Sequence, residues 1–209
     1  MVLIENLTYQ YNKRGPVLSF PNITLDKGKN LLILGESGIG KTTLLHLLAG
    51  LIKPATGKIL INQINLNSLK NFQLDQFRGK NIGLAFQKKY AIESLNVINN
   101  LKARLFFSKV VVSDKQIEIL LKQLDLSDLK ESKVSKLSEG QLQRLGIALS
   151  VIHNPKVILV DEPTSSLDDK NCKIVIELLK KHAKQTNANL IVITHDNRIK
   201  SSFQNSILL

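Results

Sequence analysis

A glycine-rich loop, set between a short apolar run and a helical pattern, constrains the fold of this chain more than any other feature. The loop occupies residues 35–43 and has the sequence Gly-Glu-Ser-Gly-Ile-Gly-Lys-Thr-Thr. Residues 31–34 before it are apolar, and residues 44–49 after it have helical periodicity. Strand, loop and helix in this order are the context in which the pattern G-x-x-x-x-G-K-[ST] binds phosphate. We therefore predict an α/β fold with a mainly parallel sheet and a nucleotide site.

The residue types in this loop suit a bound phosphate for definite physical reasons. Glycines let the backbone bring its N–H groups close to phosphate oxygens, and the following helix adds the positive end of its dipole. Lys41 would reach the β- and γ-phosphates, and the Thr42 hydroxyl would ligate Mg²⁺. A glycine turn capping an ordinary helix is the alternative, but the full pattern is rare by chance. The predicted nucleotide-binding residues here are Gly35, Glu36, Ser37, Gly38, Ile39, Gly40, Lys41, Thr42 and Thr43.

The length and composition bound the class of protein. A chain of 209 residues can bury a sizeable core, and the simplest division is one domain over residues 1–209. No apolar run approaches the about 18 residues of a membrane span, and no signal-peptide pattern is present, so we expect a cytoplasmic protein. Cys172 is the one cysteine of the sequence. An internal disulfide is therefore excluded, and we expect this residue to have no chemical role.

The strongly basic charge leaves two classes of partner open. The net charge is +12 and the isoelectric point is about 9.8, which suits nucleic acid or an anionic membrane surface. However, 24 of the 29 basic residues are lysines, whereas readout of base edges depends largely on the arginine fork. We therefore favour attraction to a membrane surface, or simple solvation, over binding to nucleic acid.

Hydrophobic patterns place the first elements around the loop. Short alternating segments between residues 2 and 34 predict a small N-terminal antiparallel β subdomain. Residues 58–62 and 82–86 predict two further strands. Residues 88–136 contain no glycine and have helical periodicity, with one face marked by Ile117, Leu120, Leu121 and Leu124. We interpret this segment as a helical subdomain inserted into the α/β core.

The second half returns to alternating helices and strands. Ser138 predicts the N-cap of a helix that ends near Ile152, and residues 157–160 predict a fully apolar strand. An amphipathic helix is predicted over 169–184, with an inward face of Ile174, Leu178 and Leu179. The last predicted strand is 190–193.

Two carboxylates follow the apolar strand 157–160, at the edge of the sheet where open α/β folds bind ligands. Asp161 is suited to hold Mg²⁺, and Glu162 to polarise a water for attack on the γ-phosphorus. The alternative is an acid pair at a helix N-terminus, which we disfavour beside a phosphate loop.

Across nearly its whole length the sequence resembles the ATP-binding cassette (ABC) ATPases. The motifs that carry this resemblance occur in the family's order, and their order is far more specific than any one of them. They are the phosphate loop at 35–42, Gln87 in the Q-loop position, the signature-like 137–141, the second Walker motif at 157–162, the D-loop-like 165–168 and His195 in the switch position.

The resemblance implies a role for each matched residue. Ser138, Gly140 and Gln141 would complete the ATP site of a second copy, so that a homodimer, or a pair of ABC subunits, encloses two ATP and two Mg²⁺. His195 would hold the γ-phosphate and the attacking water, and Gln87 would sense Mg²⁺ and water. The implied catalytic residues are Glu162, His195, Gln87 and Lys41; the implied metal ligands are Thr42, Gln87 and Asp161; Tyr11 would stack on adenine, and Asp168 would contact nucleotide.

The sequence also departs from the family pattern at identifiable positions. Glu139 replaces a usual glycine of the signature, and Leu149 stands where many relatives carry arginine. Ser166 replaces a common alanine, which we expect to be mild. Residues 78–87 resemble the branch of lipoprotein-release, macrolide-export and cell-division ATPases.

The leading hypothesis is an ATPase subunit that drives an integral membrane permease from the cytoplasmic face of the membrane. A second is a soluble ABC ATPase that acts on DNA or ribosomes, although the chain lacks the long insertions or second cassette of those relatives. A third is a non-transport regulator of cell-wall remodelling. The resemblance does not indicate the substrate, the direction of transport or the permease.

Overall fold

The computed structural model describes residues 1–86, 91–164 and 168–209. Its strands are β1 (Val2–Tyr9), β2 (Leu18–Ser19), β3 (Ile23–Leu25), β4 (Asn30–Leu34), β5 (Thr56–Ile61), β6 (Ile64–Asn65), β7 (Ile82–Ala85), β8 (Val157–Asp161), β9 (Asn189–Thr194) and β10 (Ser206–Leu208). Its α-helices are α1 (Lys41–Leu48), α2 (Asn71–Asn81), α3 (Val97–Ser108), α4 (Asp114–Gln123), α5 (Glu139–Val151) and α6 (Asp169–Thr186).

An antiparallel sheet forms around β1, as the alternating N-terminal segments predicted. Strand β1 pairs with β2, β3 and β5, and β6 pairs with β5. Val2 lies opposite both Leu25 and Ile61, so its side chain is covered from two neighbouring strands. Strand β5, which follows the phosphate loop in the chain, therefore belongs to this sheet. The local sequence pattern did not predict its pairing with β1.

A parallel sheet in the order β10-β4-β9-β8-β7 forms the centre of the fold. Its register pairs Ile33 with Ile193, and Val160 with Val192. Alternate residues of β4, β8 and β9 belong to two apolar clusters on opposite faces of the sheet. These strands are therefore buried on both faces, which explains why their sequences are continuous apolar runs. Because all these strands are parallel, the residues that follow β4, β8 and β9 meet at one edge of the sheet.

Helices cover both faces of this sheet. Helices α3 to α6 contribute to one apolar cluster, and α1 packs between the parallel and antiparallel sheets in the other. The predicted face of α4 is buried as expected: Ile117, Leu120, Leu121 and Leu124. Among the described residues, no helix is both long and apolar enough to span a membrane.

Helix α2 was not predicted. Within this fully described helix Leu74 is the one buried residue, so the sequence carries no apolar stripe that would indicate a helix. Two contacts hold α2 in place: Leu74 packs in an apolar cluster, and the end of the helix packs against β7.

The inward face predicted for α6 is partly wrong. Leu179 is buried and Leu178 is partly buried, but Ile174 is 47% exposed. The buried stripe instead follows the helical spacing of Cys172, Val175, Ile176, Leu179 and Ala183. Ile174 precedes Val175 by one residue, about 100° around the helix, and so lies off that stripe.

Candidate nucleotide site

The phosphate loop connects β4 to α1 with a backbone that favours glycine. Gly38 and Gly40 have φ values of 86° and 107°, in the left-handed region where other residues are strained. Gly40 is the N-cap of α1. The first N–H groups of α1 and the positive end of its dipole therefore face the loop, which makes this end of the helix an anion site.

Lys41 is buried at the centre of the loop, with 7% of its surface exposed. Its Nζ donates to the carbonyl oxygens of Gly35 at 2.8 Å and Glu36 at 2.9 Å. The same ammonium lies 4.0 Å from Oε1 of Glu162. A positive charge held by loop carbonyls is thus positioned for the oxygens of a bound phosphate.

Thr42 and Asp161 form the geometry expected of a magnesium site. Oγ1 of Thr42 donates to Oδ2 of Asp161 at 3.0 Å, although 119 positions separate the two residues. Burial raises the pKa of Asp161, while the hydrogen bond from Thr42 opposes that rise. Among the described residues, nothing bonds to the buried Oδ1 of Asp161. A carboxylate oxygen without a partner beside a hydroxyl is a donor set that fits Mg²⁺.

Glu162 is held by three hydrogen bonds from the end of β9. Its Oε2 accepts from Oγ1 of Thr194 at 2.6 Å, and its Oε1 accepts from the backbone N–H of His195 at 3.1 Å. Oε1 also lies 2.8 Å from Nδ1 of His195. Glu162 itself has φ of 49°, a strained value for a residue with a side chain. The tertiary structure therefore fixes the direction of this carboxylate against a backbone preference.

His195 lies directly after β9 and is more exposed than Glu162. About half of its side chain, 55%, is accessible, compared with 10% for Glu162. The ring is thus anchored through Nδ1 to a buried carboxylate while its other edge reaches solvent. This is an arrangement that can contact both a bound phosphate and a water molecule.

The pocket beside the loop measures about 480 Å³, within the range of about 300–1,000 Å³ typical of small-molecule sites. Tyr11 lies on its wall, where its hydroxyl shares a hydrogen bond of 2.6 Å with Oγ1 of Thr43. Tyr9 contacts the ring of Tyr11 edge-to-face at 4.8 Å. Tyr11, the residue implied to stack on adenine, therefore lies at the pocket. The segment after β1 also lines it, with Asn12, Gly15, Pro16 and Leu18.

The family model described as "ABC transporter" matches residues 18–165. The chain belongs to this family of ATPases. It is 32% identical to the lipoprotein-releasing system ATP-binding protein LolD of Legionella pneumophila (strain Lens) over 195 residues, which are 92% of this chain and 86% of that protein. It is 34% identical to the uncharacterized ABC transporter ATP-binding protein YvcR of Bacillus subtilis (strain 168) over 192 residues, 89% and 74% of the two chains.

Solved ABC cassettes have the same fold. The cassette MJ0796, in a dimeric post-hydrolysis structure bound to ADP and Pi, superposes with a TM-score of 0.90 at 31% identity, covering 100% of this chain and 94% of that one. The protein cbiO1 from Clostridium perfringens, described as part of the transporter complex cbiONQ, gives a TM-score of 0.86 at 27% identity over 99% and 83% of the chains. The predicted α/β cassette fold is therefore correct.

Not every predicted site residue of this ABC ATPase lies in the pocket. Ser138, Gly140 and Gln141 are at the start of α5 and are absent from the described pocket lining. Ser138 forms the predicted N-cap: its Oγ accepts from the N–H of Gln141, whose side-chain oxygen accepts in return from the N–H of Ser138. Asp168 is exposed before α6. Gln87 and Ser166 lie outside the described residues.

Sequence reasoning missed Thr194 and Thr164, two fully buried threonines that organise this edge of the sheet. Thr194 orients Glu162, and Thr164 donates to Asp196 at 2.7 Å. A signal was available for Thr194, because a hydroxyl at the end of an apolar strand needs a buried partner. No comparable pattern singles out Thr164.

Proposed function

We propose that this ABC ATPase is the ATP-hydrolysing subunit of a membrane transporter, in which two copies enclose two Mg-ATP and drive a separate permease. The observation that carries the proposal is the meeting of two residue pairs beside Lys41: Thr42 with Asp161, and Glu162 with His195. We also infer that residues 1–209 form one nucleotide-binding domain, with the helical subdomain at about 88–136.

Each group at the sheet edge has a proposed step in hydrolysis. The loop N–H groups and Lys41 bind the phosphates of ATP. Thr42 and Asp161 would hold Mg²⁺, which would supply positive charge beside the transferred phosphoryl group. Glu162 orients the attacking water and accepts its proton, since its buried carboxylate lies 4.0 Å from the loop lysine. His195 contacts the γ-phosphate through the exposed edge of its ring. Gln87 is proposed to sense Mg²⁺ and the attacking water.

The start of α5 supports a site completed by a second copy. Ser138 and Glu139 are exposed, and Gly140 is partly exposed. A helix N-terminus presented to solvent attracts an anion, so it suits the γ-phosphate held by another copy. Glu139 also lies in the first turn, where a carboxylate stabilises its own helix. The dimeric structures of MJ0796 support the same assembly for a close structural relative.

An apolar groove supports a permease partner. It measures about 440 Å³, lies between α2, β7, α3 and α5, and is lined in part by Ile82, Leu84, Phe86, Ile92, Phe107 and Leu149. Phe107 of this lining is 71% exposed, and Phe106, whose ring contacts that of Phe107, is 78% exposed. Large exposed apolar side chains grouped in this way mark interaction surfaces. We propose that an apolar segment of the permease binds here, which would place the subunit on the inner face of the membrane.

The experiment that tests the hydrolytic role is the variant Glu162→Gln. The amide keeps the shape of the side chain, and its one oxygen still accepts the hydrogen bond from the His195 backbone, but its nitrogen can neither accept from Thr194 nor take a proton from water. We expect ATP affinity to stay within about threefold, ATP turnover to fall about 10²- to 10³-fold, and an ATP-bound dimer to accumulate. Turnover and light-scattering mass in Mg-ATP measure these effects.

Glu118→Gln is the matched control, because Glu118 is exposed on α4 far from the loop. It should behave as the unsubstituted chain in both measurements. If Glu162→Gln turned over ATP at a normal rate, Glu162 would not be the base. If the variant lost activity but stayed monomeric at saturating Mg-ATP, the two-copy part of the proposal would be wrong for the isolated subunit.

A further inference from the structure

Arg198 joins two segments that flank the proposed catalytic pair. It lies on the 3₁₀ helix Asn197–Ser202, just beyond His195. Its Nε donates to Oδ1 of Asp196 at 2.9 Å, and its Nη2 donates to Oδ2 of the same residue at 2.8 Å. Its Nη1 donates to Oδ1 of Asp169, the first residue of α6, at 2.6 Å. One guanidinium thus bridges two carboxylates that are 27 positions apart.

The contacts continue from Asp196 to the catalytic carboxylate. The N–H of Asp196 donates to Oγ1 of Thr194 at 3.0 Å, and that hydroxyl donates to Oε2 of Glu162 at 2.6 Å. Oδ2 of Asp196 also accepts from Oγ1 of Thr164, two positions after Glu162. Since the Thr194 hydroxyl accepts one hydrogen bond and donates the other, the position of Asp196 sets the direction of its proton toward Glu162.

We propose that Arg198 is a positioning residue for ATP hydrolysis, which holds Asp196 against the start of α6 and thereby keeps Glu162 and His195 in their working orientation. The proposal rests on the roles proposed above for Glu162 and His195. The link from Arg198 to Asp169 is not explained by stability alone: the two side chains are 44% and 80% exposed, and exposed ion pairs contribute little to folding.

The chemistry of the guanidinium suits this role. Its planar fork donates in two directions at once, which a lysine ammonium on a single flexible stem cannot reproduce with the same geometry. The hydrogen bonds from Arg198 hold the pKa of Asp196 well below its usual range. The bridge therefore stays ionised throughout the neutral pH range. The groups facing Asp196 are Thr164, Thr194, Arg198 and Cys172.

The test compares three variants of the full chain: Arg198→Ala, Arg198→Lys and Lys200→Ala. Lys200 is exposed on the same 3₁₀ helix, so Lys200→Ala removes an equal charge without touching the bridge. For Arg198→Ala we expect kcat for ATP to fall about tenfold, because small displacements of catalytic groups are costly. Its KM for ATP should stay within about twofold, since the phosphate loop is unchanged. Removal of Arg198 also takes a partner from the buried carboxylate of Asp196, so urea unfolding is measured for both variants and kcat is compared at a temperature where both are fully folded.

The remaining outcomes distinguish a positioning role of Arg198 from an effect of its positive charge and from an effect on folding. Arg198→Lys should recover less than half of the lost kcat; full recovery would mean that the positive charge, not the bridge, matters. A normal kcat in Arg198→Ala, or equal losses in Arg198→Ala and Lys200→Ala, would overturn the proposal. Glu162→Gln, measured in parallel, keeps the two claims apart. If it is inactive while Arg198→Ala is normal, only the positioning role fails; if it is active, the assigned base is wrong.

Discussion

At the scale of single residues, the site depends on charges that the fold removes from solvent. Lys41, Asp161 and Glu162 are all buried, and they lie within a few ångströms of one another at the sheet edge. Buried charges are costly unless they are paired or bind an ion. This edge therefore favours a ligand that brings both a metal cation and phosphate oxygens.

Lys41→Ala is expected to weaken ATP binding itself. The buried ammonium is held at the loop by two carbonyl oxygens. Its loss removes the expected charge-assisted hydrogen bonds to phosphate, worth about 1.5–3 kcal/mol, or about 10- to 150-fold in affinity. Titration of ATP into the purified chain measures the dissociation constant. Lys53→Ala, an exposed position beyond α1, is the charge-matched control. Unchanged affinity in Lys41→Ala would refute the assignment of the phosphate loop.

At the scale of elements, the position of the sheet edge depends on how closely α5 packs on β7. Gly83 of β7 faces α5, and a Cβ at this position would clash with the carbonyl oxygen of Ser150 and lie 2.9 Å from Pro155. Strand β7 in turn pairs with β8, which carries Asp161. The absence of a side chain at Gly83 thus lets α5 lie directly on the strand next to β8.

Gly83→Ala should destabilise the protein by about 2–4 kcal/mol, because the added methyl group meets backbone atoms that cannot move aside. Urea unfolding measures the change in the free energy of unfolding. Gly79→Ala is the contrasting variant: its nearest neighbour would be the Phe107 carbonyl oxygen at 3.6 Å, and alanine favours the helix there by about 0.5–1 kcal/mol. Similar midpoints for the two variants would show that close packing at Gly83 is not required.

At the scale of the whole molecule, the apolar groove and the nucleotide site lie at adjacent, paired strands of the parallel sheet. β7 lines the groove, and its neighbour β8 ends at Asp161. Arg104 of α3 donates to the carbonyl oxygens of Gly79 and Ile82, which ties the helical segment to the edge of the sheet. A partner in the groove would thus contact both the parallel sheet and the helices packed on it, which would couple the proposed permease mechanically to the nucleotide site.

A photo-crosslinking amino acid at Phe107, introduced into the full chain in its own cell, should attach to an integral membrane protein. The adduct should stay with the membrane after an alkaline wash, which removes peripheral proteins. The same group at Leu208, which is 79% exposed on β10 at the far edge of the sheet, is the control. Adducts from Phe107 that wash off with the soluble fraction, or equal membrane adducts from both positions, would contradict the proposed docking of a permease in the groove.

Particular residues show how far the sequence alone could go. The loop at 35–43, the acids at 161 and 162 and the N-cap Ser138 were all predicted from neighbouring residues, because turns, caps and strand ends depend on local chemistry. The prediction that Ile174 lies on the inward face of α6 was wrong, because its apolar character does not show which of two adjacent helix faces packs against the core. Helix α2 was missed because it buries a single side chain.

By itself, the sequence determined the order of strand, phosphate loop and helix, and the residue types delivered to the sheet edge. Its similarity to known cassettes determined the family. Only the tertiary structure decided which side chains meet there: Thr42 with Asp161, Glu162 with Thr194, and Arg198 with Asp169. These pairs are separated by 29 to 119 positions along the chain, and they form through the register of parallel strands and the packing of helices, which no local pattern encodes.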